Sequence, residues 1–208
     1  ELARDADRDP MAALQFIGLR DDMTVIEFLR AAQAYYTKIL GPVLVDNGHL
    51  MTVDNSNTFS SWGDWTEEPE FKMTHPVVIE NNYSREEGRY VPGEIEFGVA
   101  EADLFLHFRE YHNFNEADNM RINAKVFDTL KSGGEYVVVD HTRRHMQPET
   151  GVLGRREDPV DVILQVQRAG FVLDRASTMF FEESDDLSKE VGQIPNMTDR
   201  FFLVFKKP

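Results

Sequence analysis

Two histidines, His112 and His141, each follow a run of strand-forming residues, DLFLHFR at 103–109 and EYVVVD at 135–140. Imidazole moves protons near neutral pH, so either ring suits general acid–base chemistry. If the two runs are neighbouring strands, both rings reach one crevice. Taken singly, each ring reads better as satisfying loop backbone groups, and it is their joint placement that brings the acid–base reading level. Asp54 closes a third run, GHLMTVD at 48–54. An acid there can hydrogen-bond a ribose diol, or simply cap the turn that begins at Asn55. Trp62 and Trp65 form an aromatic pair that either covers a planar substrate or anchors a long loop. The histidines also admit a metal reading through His107, His112, His141 and His145, with iron, zinc or copper as the ion. His141 and His145 have the i, i+4 spacing of a shared helical face, but His141 stands at a strand end where that geometry fails.

The elements that must hold these residues alternate between strand and helix, the rhythm of an α/β protein with a mostly parallel sheet. Asp9, Pro10 and Gly18 punctuate a helix over 9–18. A strand over 23–29 follows, with Glu27 near its end. A helix over 31–45 is expected to break near Gly41-Pro42. Residues 55–100 read as one irregular region or lid, with short strands near 76–80 and 94–97. A helix over 116–131 shows an apolar stripe at Met120, Ala124, Phe127 and Leu130, and Gly133-Gly134 should terminate it. A helix over 158–169 lies between Pro159 and Gly170. Strands over 171–181 and 200–206 have no helix of useful length between them, so they should pair antiparallel. The acidic run at 182–186 reads as a solvated loop. Ligands of such sheets bind at the carboxyl ends of the strands, which selects Glu27, Asp54 and the segments 109–113 (REYHN) and 140–143 (DHTR), with His112 and His141 as the acid–base candidates.

Composition bounds the function. The 208 residues carry 22 Lys+Arg and 37 Asp+Glu, a formal charge of −15, which repels phosphate backbones and disfavours nucleic-acid partners. The absence of cysteine removes disulfides, thiolate zinc sites and Cys nucleophiles. No apolar run is long enough to span a membrane, and 1–10 lack a signal core. A soluble protein is expected, cytoplasmic or exported after signal removal, forming one domain over 1–208. Its partner should be a small-molecule substrate, with a homodimer or paired subunit compatible.

The order of elements resembles class I S-adenosylmethionine (SAM) dependent methyltransferases. More narrowly, it is similar to a bacterial family described as predicted methyltransferases. The likeness runs almost end to end. It is carried by 4–10 (RDADRDP), 18–27, 35–42 (YYTKILGP), 108–114 (FREYHNF), 133–141, 168–171 (RAGF) and 199–208. It implies a Rossmann-like fold with helices on both faces of a seven-stranded sheet, parallel except for an antiparallel last strand. It also implies that Glu27 opens the SAM-binding turn with Arg30, Ala31 and Ala32, and that Asp54 meets the cofactor ribose. The family's His-Asn and Asp-His pairs match His112-Asn113 and Asp140-His141, which would face the transferred group or the substrate. Arg109, Tyr36 and Trp62 are further substrate-binding candidates.

One segment departs from that pattern. The family has a glycine-rich turn after strand one, whereas residues 27–34 read EFLRAAQA. The added Cβ atoms crowd a turn whose backbone should approach the cofactor, and their helix propensity favours an early helix. Arg30, if it points inward, sets a positive charge beside the sulfonium. Three readings therefore stand: a methyltransferase with an altered SAM site, a SAM-independent and metal-using enzyme on the same scaffold, and a non-catalytic binding relative.

Overall fold

The computed structural model describes residues 5–29, 33–86 and 88–208. In chain order its helices are α1 (Asp5–Arg8), α2 (Pro10–Ile17), α3 (Thr37–Leu44), α4 (Ser56–Ser60), α5 (Glu116–Thr129) and α6 (Pro159–Arg168). Its strands are β1 (Thr24–Phe28), β2 (His49–Asp54), β3 (Thr74–Val78), β4 (Asn81–Ser84), β5 (Arg89–Pro92), β6 (Ala102–Phe108), β7 (Leu130–His141), β8 (Val172–Ser177) and β9 (Arg200–Lys206). Seven of them form one sheet in the order β3-β2-β1-β6-β7-β9-β8, and β4 and β5 form a separate hairpin. The pairings are parallel from β3 to β7, while β9 runs antiparallel between β7 and β8. This is the expected Rossmann-like methyltransferase architecture.

The alternation of strand side chains builds two cores. Val25, Leu50, Leu104, Val137 and Val204 face α2 and α3, packing on Leu14, Ile17, Leu40 and Leu44. Ile26, Val53, Phe105, Tyr136 and Phe205 face α5 and α6, packing on Ile122, Val126, Val162 and Val166. Both faces are buried, which is why these strands read as continuous apolar runs.

Several elements differ from expectation. The helix expected over 31–45 starts only at Thr37, after a turn at 33–36, and runs through Pro42. Gly41 does not break it. A Cβ there would sit 2.5 Å from the Phe71 ring, so this glycine serves close packing. The stripe read on α5 is misplaced. Its buried face is Asn119, Ile122, Asn123 and Val126, because two buried amides take the place of apolar residues. That helix ends at Thr129, capped by the Leu130 N–H on Val126 O, and Gly133-Gly134 lie within β7 beside a register shift. No strand forms at 94–97, although Ile95 and Phe97 enter the core. The β4–β5 hairpin was not anticipated. The acidic run at 182–186 is not wholly solvated, since Asp185 is buried against Arg156.

Among the described residues no helix is long and apolar enough to cross a membrane.

Candidate functional site

The carboxyl ends of β1, β6 and β7 open on a cavity of about 360 Å³, lined by Glu27, Leu29, Tyr36, Arg109, His112 and His141 among others. A second cavity of about 430 Å³ at the end of β2 is lined by Asp54, Asn55, Thr58, Asn81 and Tyr90. Leu29, Glu110, Asn113 and Arg155 wall both, so the two adjoin.

β6 and β7 are parallel neighbours, and their ends bring the His112 and His141 rings to a centroid distance of 6.0 Å. Asp140, fully buried as the penultimate residue of β7, organises both. Its Oδ1 lies 2.8 Å from His112 Nδ1 and accepts the His141 N–H at 2.7 Å, while Oδ2 accepts the His112 N–H at 2.9 Å. Burial alone would raise this carboxyl. The His112 ring, His141 and the hydrogen bonds more than reverse that and hold it at about 2. An ionised carboxylate only accepts, so His112 carries its proton on Nδ1 and keeps Nε2 as the basic nitrogen. His141 differs. Burial, with Arg109 close by, drives its pKa well down, so the ring is neutral, and its Nε2 faces Arg109 Nε at 3.4 Å. Its Nδ1 is buried and has no partner among the described residues.

Two acids beside the dyad behave oppositely to Asp140. Burial, reinforced by Asp140 and Asp54, pushes Glu110 from 4.5 up to about 8, although Asn113 Nδ2 donates to it at 2.5 Å. Burial and Asp140 push Glu157 up to about 7 against Arg89 and Arg143. Both carboxyls hold protons in the fold that the unfolded chain releases above about 4.5, so stability falls as pH rises from 4.5 toward 7 and 8. Glu110→Gln should therefore melt close to the native protein at about pH 5 and progressively above it toward about pH 9. Thermal unfolding by circular dichroism across that range checks this, and a gap that narrows with pH contradicts it.

Glu27 lies in the first cavity and its Oε2 accepts from Thr37 Oγ1 at 2.5 Å. Arg30, Ala31 and Ala32 lie outside the described residues. The flanking residues of that turn, Leu29 and Ala34, take left-handed backbone with φ 52° and 48°. Such conformations favour glycine and cost other residues roughly 1–2 kcal/mol. Asp54 Oδ1 accepts from Asn55 N–H at 2.7 Å and Thr58 Oγ1 at 3.0 Å, the turn-cap arrangement, on a residue that also lines the second cavity. Tyr36 packs edge-on against Phe108 at 4.7 Å in the first cavity. Asn113 and Arg109 line it as well. Trp62 is elsewhere, edge-on to Phe59 at 5.2 Å and tilted against Trp65 at 4.8 Å, and with Phe59 it lines a small pocket of about 170 Å³.

His107 sits beneath the site, fully buried, with Nδ1 3.0 Å from Tyr136 Oη, and burial lowers it to about 3. His145 faces away from the cavity toward Asp158, 2.8 Å from its Oδ2. Of the four histidines in the metal reading, the fold thus gathers His112 and His141. Among the described residues no three His, Asp or Glu side chains are grouped to hold a metal ion.

Glu110 lies in the 109–113 segment that the sequence selects, though without a role of its own there. Sequence reasoning missed Asn81 and Arg155. Asn81 opens β4 in a stretch without strand alternation, and Arg155 lies between β7 and α6, so no periodicity points either of them inward. Asn81 is 7% exposed and its Oδ1 has no partner among the described residues.

No protein-family model and no curated protein sequence matches the chain. Solved structures do match by fold. A SAM-dependent methyltransferase from Aquifex aeolicus superposes with TM-score 0.68 at 16% identity, over 99% of this chain and 93% of that one. The [4+2]-cyclase SpnF gives 0.68 at 12% identity, over 98% and 82%. Human N-acetylserotonin methyltransferase, solved with SAM, gives 0.61 at 12% identity, over 97% of this chain and 51% of that one. At these identities the likeness is one of fold, and the fold is that of the SAM-dependent methyltransferases.

Proposed function

We propose that this protein transfers a methyl group from SAM to a hydroxyl of a small molecule, with His112 as general base. The observation that carries the reading is the Asp140–His112 pair, 2.8 Å apart, facing a cavity that shares a wall with the one beside Asp54. Function follows from such a site and not from the fold.

The residues present fit the cofactor. Asp54 ends β2, where a ribose diol would meet a carboxylate. The orphaned Asn81 Oδ1 offers an acceptor that suits an adenine amino group. Leu29 and Ala34, which flank the place of the family's glycine-rich turn, hold left-handed backbone without glycine. Asp54, Asn81 and Glu27 would hold the cofactor, which supplies an electrophilic methyl when bound. His112 Nε2 would take the acceptor's hydroxyl proton, Asp140 fixes the ring's tautomer and stabilises the imidazolium formed on His112, and His141 with Arg109 orients the acceptor.

Titration with SAM and S-adenosylhomocysteine by calorimetry tests this, with metal analysis alongside. Micromolar binding of both is expected. Absence of binding together with stoichiometric metal would favour a SAM-independent enzyme. The glycine-free turn supports that second reading, and the [4+2]-cyclase neighbour exemplifies non-methyltransferase chemistry on this fold.

A further inference from the structure

The protein carries a charge of −15, yet the first cavity presents arginines to its interior: Arg8, Arg109 and Arg155. Their settings differ. Arg8 lies with its guanidinium 4.4 Å above the Tyr35 ring. Arg155 is matched by Glu190, whose Oε1 accepts from its Nε at 2.6 Å. Arg109 makes no ion pair among the described residues. Its resolved hydrogen bond goes from Nε to the neutral His141 ring at 3.4 Å. The neighbouring acids do not offset it fully. Of the acids that line the cavity, Glu110 is held protonated at neutral pH by burial.

A guanidinium remains charged at every accessible pH, so an unpaired one at a cavity wall costs desolvation unless an anion arrives. Arg109 also sits at φ 62°, a left-handed conformation that penalises a non-glycine residue. Strain of this kind persists where the surroundings hold a side chain in a required direction. Beside the cation stand Tyr36 and Phe108, edge to face at 4.7 Å, and Tyr35 against Tyr36 at 5.0 Å. Set edge to face, these rings supply aromatic surface beside the cation in an otherwise polar cavity.

We infer that the methyl acceptor is a hydroxylated aromatic carboxylate, its carboxylate paired with Arg109, its ring against Tyr36 and Phe108, and its hydroxyl toward His112. This names the substrate class of the site above and rests on the methyl-transfer reading. The guanidinium fork donates to a carboxylate in two parallel bonds. A negative molecule approaching an acidic protein is thereby drawn to one locally cationic opening.

The test compares 3-hydroxybenzoate with 3-hydroxybenzamide by calorimetry, using the full chain with and without saturating S-adenosylhomocysteine. The carboxylate should bind at least about tenfold more tightly than the amide, a difference of about 1.4 kcal/mol. That preference should shrink with added salt. It should vanish in Arg109→Gln, survive in part in Arg109→Lys, and leave the affinity for S-adenosylhomocysteine unchanged. Equal binding of acid and amide overturns the inference, and so does binding of neither. Loss of S-adenosylhomocysteine affinity in Arg109→Gln also overturns it, since the guanidinium would then serve the cofactor's own carboxylate. The inference and the methyl-transfer reading fail separately. An acid preference in a protein that binds neither SAM nor S-adenosylhomocysteine sinks methyl transfer and leaves the anion site standing.

Discussion

His112→Ala should lower the turnover of methyl transfer by about 10²–10⁴-fold while leaving SAM affinity near its native value. The size follows from the role. A positioned base lowers the barrier only at the step where the acceptor's proton departs, so its loss falls on kcat and spares binding. Asp140→Asn should cost a comparable factor for a different reason. An amide at 140 can donate to His112 Nδ1 and so move the ring's proton to Nε2, which removes the lone pair that acts as base. It also replaces a carboxylate that now accepts from two backbone N–H groups, at 2.9 and 2.7 Å, so a stability loss should accompany it. His141→Ala gives the contrast. His141 meets a cation and lacks a carboxylate partner for its ring, so its removal should raise KM more than it lowers kcat. Single-turnover rates measured with the acceptor saturating separate these outcomes. If His112→Ala retains turnover within about threefold, the base lies elsewhere.

Arg156→Met should destabilise the fold by about 3–5 kcal/mol, the usual penalty for breaking a buried ion pair from one side. Both partners are fully buried, and Arg156 Nη1 lies 2.9 Å from Asp185 Oδ2. The arginine further donates to Thr142 O at 2.9 Å and Lys189 O at 3.0 Å. Asp185 in turn accepts from the Leu187 and Asp199 N–H groups at 3.0 and 2.8 Å. The pair therefore joins the segment after β7 to the loop between β8 and β9. Urea unfolding measures the loss. The double variant Arg156→Met/Asp185→Leu should recover much of it, because no lone charge stays buried. Equal instability of single and double variants would mean that the backbone contacts, and not the charges, hold the loops. Arg155, Val191 and Asn196 line the first cavity from these same two segments, so the single variant should also weaken acceptor binding.

Much of this arrangement was legible in the chain. Runs such as EYVVVD and RFFLVFK could only be buried strands, and Asp9 with Gly18 or Pro159 with Gly170 marked helix ends by chemistry that the structure uses. The convergence of His112 and His141 followed from one premise, that their strands are neighbours. What could not be read were features decided by tertiary partners. The buried face of α5 includes Asn119 and Asn123 because their amides satisfy Tyr111 and Tyr136 inside the core. No apolar pattern announces that. Asp185 stands in an acidic run that looks like surface, and its burial depends on an arginine 29 positions away. The β4–β5 hairpin, pairing Asn81 with Pro92, lacks the alternation that identifies a half-buried strand.

The left-handed backbone at Arg109 has a consequence for any effort to harden this protein. Glycine at 109 would relieve roughly 1–2 kcal/mol of conformational penalty and release an uncompensated cation from the cavity wall. A library screened for heat resistance alone would drift toward that replacement. The survivors would be sturdier and would lack the guanidinium proposed to meet the acceptor's carboxylate. Selection for endurance and selection for turnover thus pull this one position in opposite directions, and a screen meant to keep the protein working must score both.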